Sequence, residues 1–309
     1  MQEQHDKEVT VPLTVAIPTY GREEVLLQTL EHFLKMPLPP AEILVLDQTE
    51  VHSPAVAKTL KNWESEGKLR WLRISRPSIT GSMNLGLLQA HYEIVLFVDD
   101  DIIPESGLLQ AHLTAHKNVG AALIAGRVIQ PWQEGMDFSA DELFHFASLK
   151  RGWVNEFMGG NFSVRRDKAI TLGGFDENFV HVAYRYEAEF AERVISSGEK
   201  IFFEPDATIY HLKAKEGGAR SFGEHLRTIK PSHGVGAYYF LLCSKVIQNR
   251  TTKILERFFM SVKTRHHLYN PWWIPVTLVA ELSGFFWAIY LYFRGPRLIN
   301  WNNDIARSQ

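Results

Sequence analysis

Residues 94–104 read IVLFVDDDIIP, five apolar residues that run without interruption into Asp99, Asp100 and Asp101. A short apolar run of this kind, bounded by turn residues, is a strand buried on both faces, as strands of parallel sheets are. Val11 to Ile17, Ile43 to Leu46 and Leu69 to Ile74 repeat the pattern. Helical spacing separates them: Val25, Leu26, Thr29, Leu30 and Phe33 share one helix face, and Val56 to Trp63 and Met83 to Ala90 give two more helices. The result is a series of βαβ units and a doubly wound α/β sheet, whose ligands sit at the carboxyl ends of the strands. The aspartates occupy such an end. Residues two apart in extended backbone share a face, so Asp99 and Asp101 point together into the crevice, as a hard divalent cation carrying a diphosphate requires. Helix capping by Asp101 explains one acidic residue only, and three adjacent like charges call for a counter-ion.

The chain has 309 residues, 45% of them hydrophobic, with 33 Lys+Arg against 35 Asp+Glu. That length buries one large core or two modest ones, and the balanced charge supplies no basic face for nucleic acid. Cys243 is the only cysteine, which excludes a disulfide scaffold and suits a reducing compartment. The polar segment 1–10 lacks the features of a secretory signal, so a cytoplasmic chain is expected.

The C-terminal segment differs. Trp272 to Phe293 is long enough to cross a bilayer but is broken by Pro275, Glu281, Ser283 and Gly284. Lys253, Arg257, Lys263 and Arg265 precede it, and Arg294 and Arg297 follow. Basic residues on both sides and aromatic flanks favour a helix lying on the inner face of the cell membrane through residues 272–293; the alternatives are a spanning helix and a helix packed on its own domain.

Between these ends, the pattern predicts an edge-like strand over 121–129, an irregular and possible substrate-binding insertion over 131–160, a strand over Asn161 to Arg165, a helix over Tyr184 to Ser197, and two short strands, Lys200 to Phe203 and Ala207 to Tyr210. Gly217, Gly218 and Gly223 mark a loop that also carries Lys213, Lys215 and Arg220. Such a loop can close over a diphosphate, with the Arg220 guanidinium gripping two oxygens. Trp132, Trp153 and Phe157 are candidates for stacking on sugar rings or for local core, and His266 and His267 are expected to be solvated.

Taken in order, these motifs resemble the family-2 glycosyltransferases, inverting enzymes of the GT-A fold that use nucleotide-sugars. VAIPTYGRE, from Val15 to Glu23, resembles the family's first strand and nucleotide-binding turn, with Gly21 where many members carry Asn. That match implies nucleotide-sugar contacts from Pro18, Thr19, Tyr20 and Arg22. Asp47 after ILVL is similar to the residue that contacts the base, and SITGSMNLGL implies lining by Ser78, Gly81 and Asn84. The aspartate run resembles the Asp-x-Asp motif. It implies that Asp99 and Asp100 face the donor, that Asp99 and Asp101 bind Mn or Mg, and that His211 in ATIYHL is a late ligand. GGNFSVRR resembles the acceptor-side turn, with Gly159, Gly160 and Asn161 joined by Trp153. GGFDENF and YEAEFAERV follow in the family's order.

Where members usually carry Glu-Asp-x-Asp, this chain has Tyr186, Glu187, Ala188 and Glu189, so the match puts Glu187 at the general base. Glu189 is the rival, although its spacing to Arg193 marks it for a helix salt bridge. The expectation is a GT-A type Rossmann-like mixed sheet over 11–215, a basic glycine-rich loop and helical extension over 216–270, and a membrane-associating helix and tail over 271–309. The implied activity is metal-dependent, inverting sugar transfer from a nucleoside-diphosphate sugar to a saccharide or lipid-linked acceptor, in polysaccharide or glycoconjugate synthesis. A nucleotidyltransferase, or a non-catalytic nucleotide-binding scaffold of the same fold, is the alternative.

Overall fold

The computed structural model describes residues 10–139, 144–223 and 226–300; the tail over 1–9 and the chain end over 301–309 lie outside the described residues. Alternation along the central strands accounts for the layering. In β1 (Val11–Thr19) Val15 and Ile17 face one apolar layer and Ala16 the other; Ile43 and Val45 oppose Leu44 and Leu46 in β2 (Pro40–Asp47). In β4 (Ile94–Val98), Leu96 and Val98 oppose Val95 and Phe97 in the same way. Each strand is buried on both faces, which is why it reads as an unbroken apolar run. One layer receives α1 (Glu24–Leu34), α2 (Pro54–Ser65) and α4 (Leu108–Val119), and the other α3 (Ile79–Gln89), α5 (Arg166–Thr171) and α6 (Tyr186–Ser196).

The sheet has nine strands among the described residues, in the order β3-β2-β1-β4-β8-β6-β9-β5, with β7 also paired to β9. Its first half is parallel, through β3 (Arg70–Arg73), β2, β1 and β4. The antiparallel β8 (Asn161–Arg165) then makes it mixed. Two expectations need correction. The strand over 121–129, β6 (Leu123–Ile129), is interior, held between β8 and β9. The two short strands after it are one, β9 (Ile201–His211); its register with β6 jumps where Gly126 pairs Glu204 but Arg127 pairs Thr208, across Pro205, which has no N–H to give the ladder.

The irregular segment over 131–160 gives Met158, Gly159 and Gly160 to the lining of the cavity described below. Its strand β7 (Gly152–Val154) pairs with β9, and Phe157 stacks with the buried rings of Phe162 and Phe190. Residues 140–143 of it lie outside the described residues.

The C-terminal helices are α7 (Gly234–Cys243), α8 (Arg250–Val262), α9 (Arg265–Tyr269) and α10 (Trp273–Arg294). Val235, Tyr238 and Tyr239 of α7, and Ala288 and Leu291 of α10, share one core with Phe97 and Phe162 of the sheet. Backbone seats hold these helices. A Cβ on Gly284 would stand 3.1 Å from the nitrogen of Val235, and one on Gly236 would collide with the carbonyl oxygen of Tyr184. Close approach therefore demands glycine at Gly236, whereas a side chain at Gly284 would push α7 back by a few tenths of an ångström.

Among the described residues, α10 is the one helix long and apolar enough to cross a membrane by length and composition. Its Glu281 is buried against the protein, accepting from the Tyr238 hydroxyl at 2.6 Å and pairing with Arg257 Nε at 3.1 Å. Leu282, Phe286, Tyr290 and Phe293 lie on its exposed side, and Leu255, Phe259 and Met260 of α8 are exposed as well. His267 is buried, bonded to Thr264 and Thr277, rather than solvated.

Candidate active site

The aspartates lie where the chain leaves the sheet at β4 and re-enters it at the far edge as β5 (Ile102–Pro104), antiparallel to β9. Pairing of Ile102 with His211 brings the end of β9 beside the aspartates, and Leu212 N–H donates to the Asp101 carbonyl at 2.8 Å. Thr29 of α1 staples this crossing, its hydroxyl donating to the Asp100 carbonyl at 3.0 Å and accepting from Ile102 N–H at 3.1 Å. Asp101 caps no helix, since α4 starts at Leu108. It accepts from Ala214 N–H at 2.7 Å, and its other oxygen is 3.2 Å from His211 Nε2.

One ligand atom each from Asp99, Asp101 and His211 lies within 4.8 Å of the others. Two hard carboxylate oxygens and an imidazole nitrogen form a donor set that suits Mn or Mg. The charge points the same way. Arg22 is the guanidinium at this crossing, 3.2 Å from Asp100 and 3.4 Å from Asp101. Three carboxylates face one guanidinium and one imidazole here, a crowding of acidic groups that a divalent cation would relieve. Burial pushes the Asp100 carboxyl up to about 7 against the pull of Arg22. Burial acts on Asp101 in the same sense, but the His211 hydrogen bond and the nearby positive charges hold it below the usual range.

A cavity of about 370 Å³ opens beside this cluster. Glu187, in the first turn of α6, lines it, and burial pushes its carboxyl up to about 7 with a further contribution from the Asp99 charge. The turn before α6 is strained, with His181, Ala183 and Arg185 all in the left-handed region at φ of 58°, 50° and 77°. Gly159 and Gly160 separate the two acidic groups. A Cβ on Gly159 would collide with the Tyr186 hydroxyl and stand 3.1 Å from Glu187 Oε1, and one on Gly160 would collide with Asp99 Oδ2. Gly160→Ala is therefore expected to displace the Asp99 carboxylate from its place beside Asp101 and His211. The check is calorimetric: Mn affinity reduced by one order of magnitude or more in a folded variant, with unchanged affinity contradicting the geometry.

Pro18, Thr19, Tyr20, Arg22, Ser78, Asp99, Asp100 and Arg220 all line the cavity, as do Gly159 and Gly160. The loop that carries Arg220 is strapped to the first turn, with Gly218 N–H donating to the Tyr20 carbonyl at 2.7 Å and Arg22 donating to the Glu216 carbonyl.

Five expected residues, and the rival base, do not line it. Asp47 is fully buried, accepting from Trp71 Nε1 at 2.7 Å and Thr49 N–H at 2.8 Å and bonded to His52 at 2.8 Å, and it does not line the cavity. Gly81 N–H donates to the Ser78 hydroxyl at the start of α3. Asn84 is spent on the backbone of Phe175, and Asn161 on the carbonyls of Arg127 and Ala207. Trp153 stacks edge-on against Phe202 beneath the Lys200 ammonium. Glu189 is clamped by Arg193 at 2.6 and 2.8 Å.

Gln48, His181, Tyr186 and Phe222 line the cavity without having been singled out in the sequence. Gln48 follows Asp47 at a strand end and Tyr186 precedes Glu187, so both were within reach of the same reasoning; His181 and Phe222 carry no local signal.

Behind the glycine turn, His112 Nε2 meets Asn161 Oδ1 at 2.9 Å, and the Ser163 hydroxyl bridges His112 and His116 at 2.8 and 2.9 Å. Burial pushes these histidines down to about 4 and about 3. Their folded values lie below the unfolded one, so they favour folding at neutral pH and lose that contribution as acid is added; Glu187 and Asp100, raised by burial, act in the opposite sense. A melting curve sums the two effects, whereas NMR separates them. The imidazole resonances of His112 and His116 are expected to stay neutral from about pH 8 down to about pH 5, and a titration midpoint near 6.5 for either one would contradict the buried network.

No curated protein matches the chain significantly by sequence. Solved structures do match in shape. Mannosyltransferase PcManGT from Pyrobaculum calidifontis, in complex with GDP-Man and Mn2+, superposes with a TM-score of 0.56 at 19% identity, covering 93% of this chain and 79% of that one. S. aureus TarS 1-349, in complex with UDP-GlcNAc, gives 0.55 at 15% identity, covering 92% of each. GalNAc-T7 with UDP, GalNAc and Mn2+ gives 0.59 at 14%, and this chain spans 54% of its length. At such identities the likeness speaks for the fold. The sequence itself matches the family described as Glycosyl transferase family 2 over residues 14–173, just over half of the 309. That match takes in β1, the aspartate crossing, the glycine turn and the start of GGFDENF, and on it the chain belongs to glycosyl transferase family 2, as a glycosyltransferase of the GT-A fold.

Proposed function

We propose that the protein is a metal-dependent, inverting transferase that moves a sugar from a nucleoside-diphosphate donor to a hydroxyl of a saccharide or lipid-linked acceptor, in polysaccharide or glycoconjugate synthesis at the inner face of the cell membrane. The observation that carries this reading is the convergence of Asp99, Asp101, His211 and Glu187 on one cavity. Asp99, Asp101 and His211 would hold Mn or Mg, which when bound neutralises the diphosphate of the donor and stabilises its departure. Arg220, on the strapped loop, is placed to pair with the same phosphates. Glu187 takes the proton of the acceptor hydroxyl, whose oxygen attacks the anomeric carbon opposite the leaving diphosphate, so configuration inverts. The nucleotide-sugars in the PcManGT and TarS structures, and the UDP and GalNAc in that of GalNAc-T7, agree with a nucleotide-sugar here and leave the base and sugar open.

Membrane association rests on the exposed apolar side chains of α8 and α10, since Glu281 is turned into the protein and α10 is seated on α7. A helix docked along one face and apolar on the other suits lying in an interface better than crossing it.

Thermal stability against UDP, GDP, dTDP and CDP, each with Mn or with chelator, tests the donor site. Ligand at a hundred times its dissociation constant adds about 2.7 kcal/mol. One nucleotide is expected to stabilise the chain with Mn and lose its effect with chelator; no shift with any of the four would remove the nucleotide-sugar reading.

A further inference from the structure

A second cavity, of about 910 Å³, lies between the strapped loop and α9 and shares Ala219 and Arg220 with the first. Its lining includes Lys213, Lys215, Arg220, Arg227, His233 and His266, and no carboxylate among the described residues. Lys213, Lys215 and Arg220 carry no ion pair among the described residues. Like charges gathered around a concave surface repel one another and raise the local concentration of anions. Part of the wall is preset. The Lys213 ammonium sits 4.1 Å from the centre of the Trp132 ring, and His233 Nε2 is bonded to the Gly223 carbonyl at 3.0 Å. His266 Nε2 is buried with no protein hydrogen-bond partner, so water, an ion or a ligand group is left to satisfy it.

The position of this cleft narrows the ligand. The donor diphosphate is already provided for in the first cavity, by the metal-binding set and Arg220. On the other side, α9 gives His266 to the cleft and exposes Leu268 and Tyr269, 82% and 78% accessible, just before the exposed Trp272. The cleft thus lies between the transfer site and the apolar surface. We propose that it holds the phosphate of a lipid-borne acceptor, a phosphate that joins a hydrocarbon chain to the saccharide carrying the acceptor hydroxyl. The phosphate is gripped by Lys213 and Lys215, the hydrocarbon lies along the apolar surface at α9, and the acceptor hydroxyl, on the saccharide side of the phosphate, reaches past Ala219 toward Glu187. This rests on the reading of the first cavity as a sugar-donor site.

The test uses the full chain and the Lys213→Gln/Lys215→Gln variant, whose two positions line the second cavity and not the first. Geranyl phosphate, geraniol and inorganic phosphate are titrated calorimetrically. Sedimentation with phosphatidylcholine vesicles, with and without phosphatidylglycerol, reads bulk headgroup binding, and the nucleotide-dependent thermal shift with Mn is measured in parallel. Geranyl phosphate is expected to bind the wild type well above geraniol or inorganic phosphate, and the variant to bind it roughly tenfold or more weakly, the effect of removing charge-assisted contacts. Nucleotide shift and vesicle sedimentation are expected to be unchanged.

A wild type that shows the nucleotide shift but binds geranyl phosphate no better than geraniol overturns the cleft and leaves the donor reading standing. Absence of the nucleotide shift overturns that reading and the cleft with it. Equal binding of inorganic phosphate overturns the lipid-borne source. A variant that loses sedimentation with phosphatidylglycerol vesicles while keeping geranyl phosphate overturns it in favour of bulk headgroups.

Discussion

Asp101→Asn is expected to lower sugar transfer by about two to four orders of magnitude while the chain stays folded. Asparagine keeps a carbonyl oxygen for the Ala214 N–H, so the link between the aspartate crossing and the chain after β9 survives. What disappears is a unit charge at the proposed metal site, where Asp101 is already buried and paired to His211 and Arg22. Metal stabilisation of a departing diphosphate is worth several kcal/mol, and about 1.4 kcal/mol corresponds to tenfold in rate. The measurement is release of nucleoside diphosphate from the donor that the thermal screen selects, at saturating Mn. Turnover within a few-fold of wild type would remove Asp101 from the metal site. A variant that melts well below wild type in the absence of ligand would show instead that Asp101 acts as a structural pin.

Glu187→Gln is the second large effect. General base catalysis contributes about 10²- to 10⁴-fold, and glutamine preserves the size and one acceptor of the side chain without its basicity. Donor binding is expected to hold while kcat falls by that factor. The pH profile adds a sign. Burial raises the Glu187 carboxyl to about 7, and a base works only when ionised, so wild-type kcat is expected to climb with pH through an acidic limb. A cation beside Asp99 removes the repulsive part of the shift and moves the limb to lower pH. In the variant the limb is expected to vanish. An unchanged kcat, or a limb that persists in Glu187→Gln, would transfer the role to another group.

How far each feature could be read from sequence depends on where its partners come from. Ile94–Val98 and its parallel neighbours were legible because burial on both faces leaves a continuous apolar run, and the aspartates because three adjacent charges at a strand end have few structural uses. Asp47 shows the opposite case. It stands at a strand end as a ligand residue would, but Trp71 and His52, which enclose it, arrive from other segments, and nothing local announces them. The interior place of β6 was hidden for the same reason, since its partner β9 begins about seventy residues later. Glu189 was legible as a salt-bridge partner from its spacing alone, because that interaction is local to one helix turn. His211 needed the order of motifs: register across β5 and β9, rather than any neighbouring residue, carries it to Asp101.

The two glycine seats under the C-terminal helices bear on how such a chain can change over generations. Gly284 rests on the backbone of α7, and Gly236 of α7 rests on Tyr184, three residues before Glu187. The Gly236 seat has no room for a side chain, and the Gly284 seat admits one only if α7 gives way slightly. A recombination that exchanged the last hundred residues for those of a relative would have to bring matching seats, or it would disturb the turn that launches the proposed base. Tail and turn are therefore expected to change together, and a relative with a different tail should carry compensating changes between residues 181 and 186.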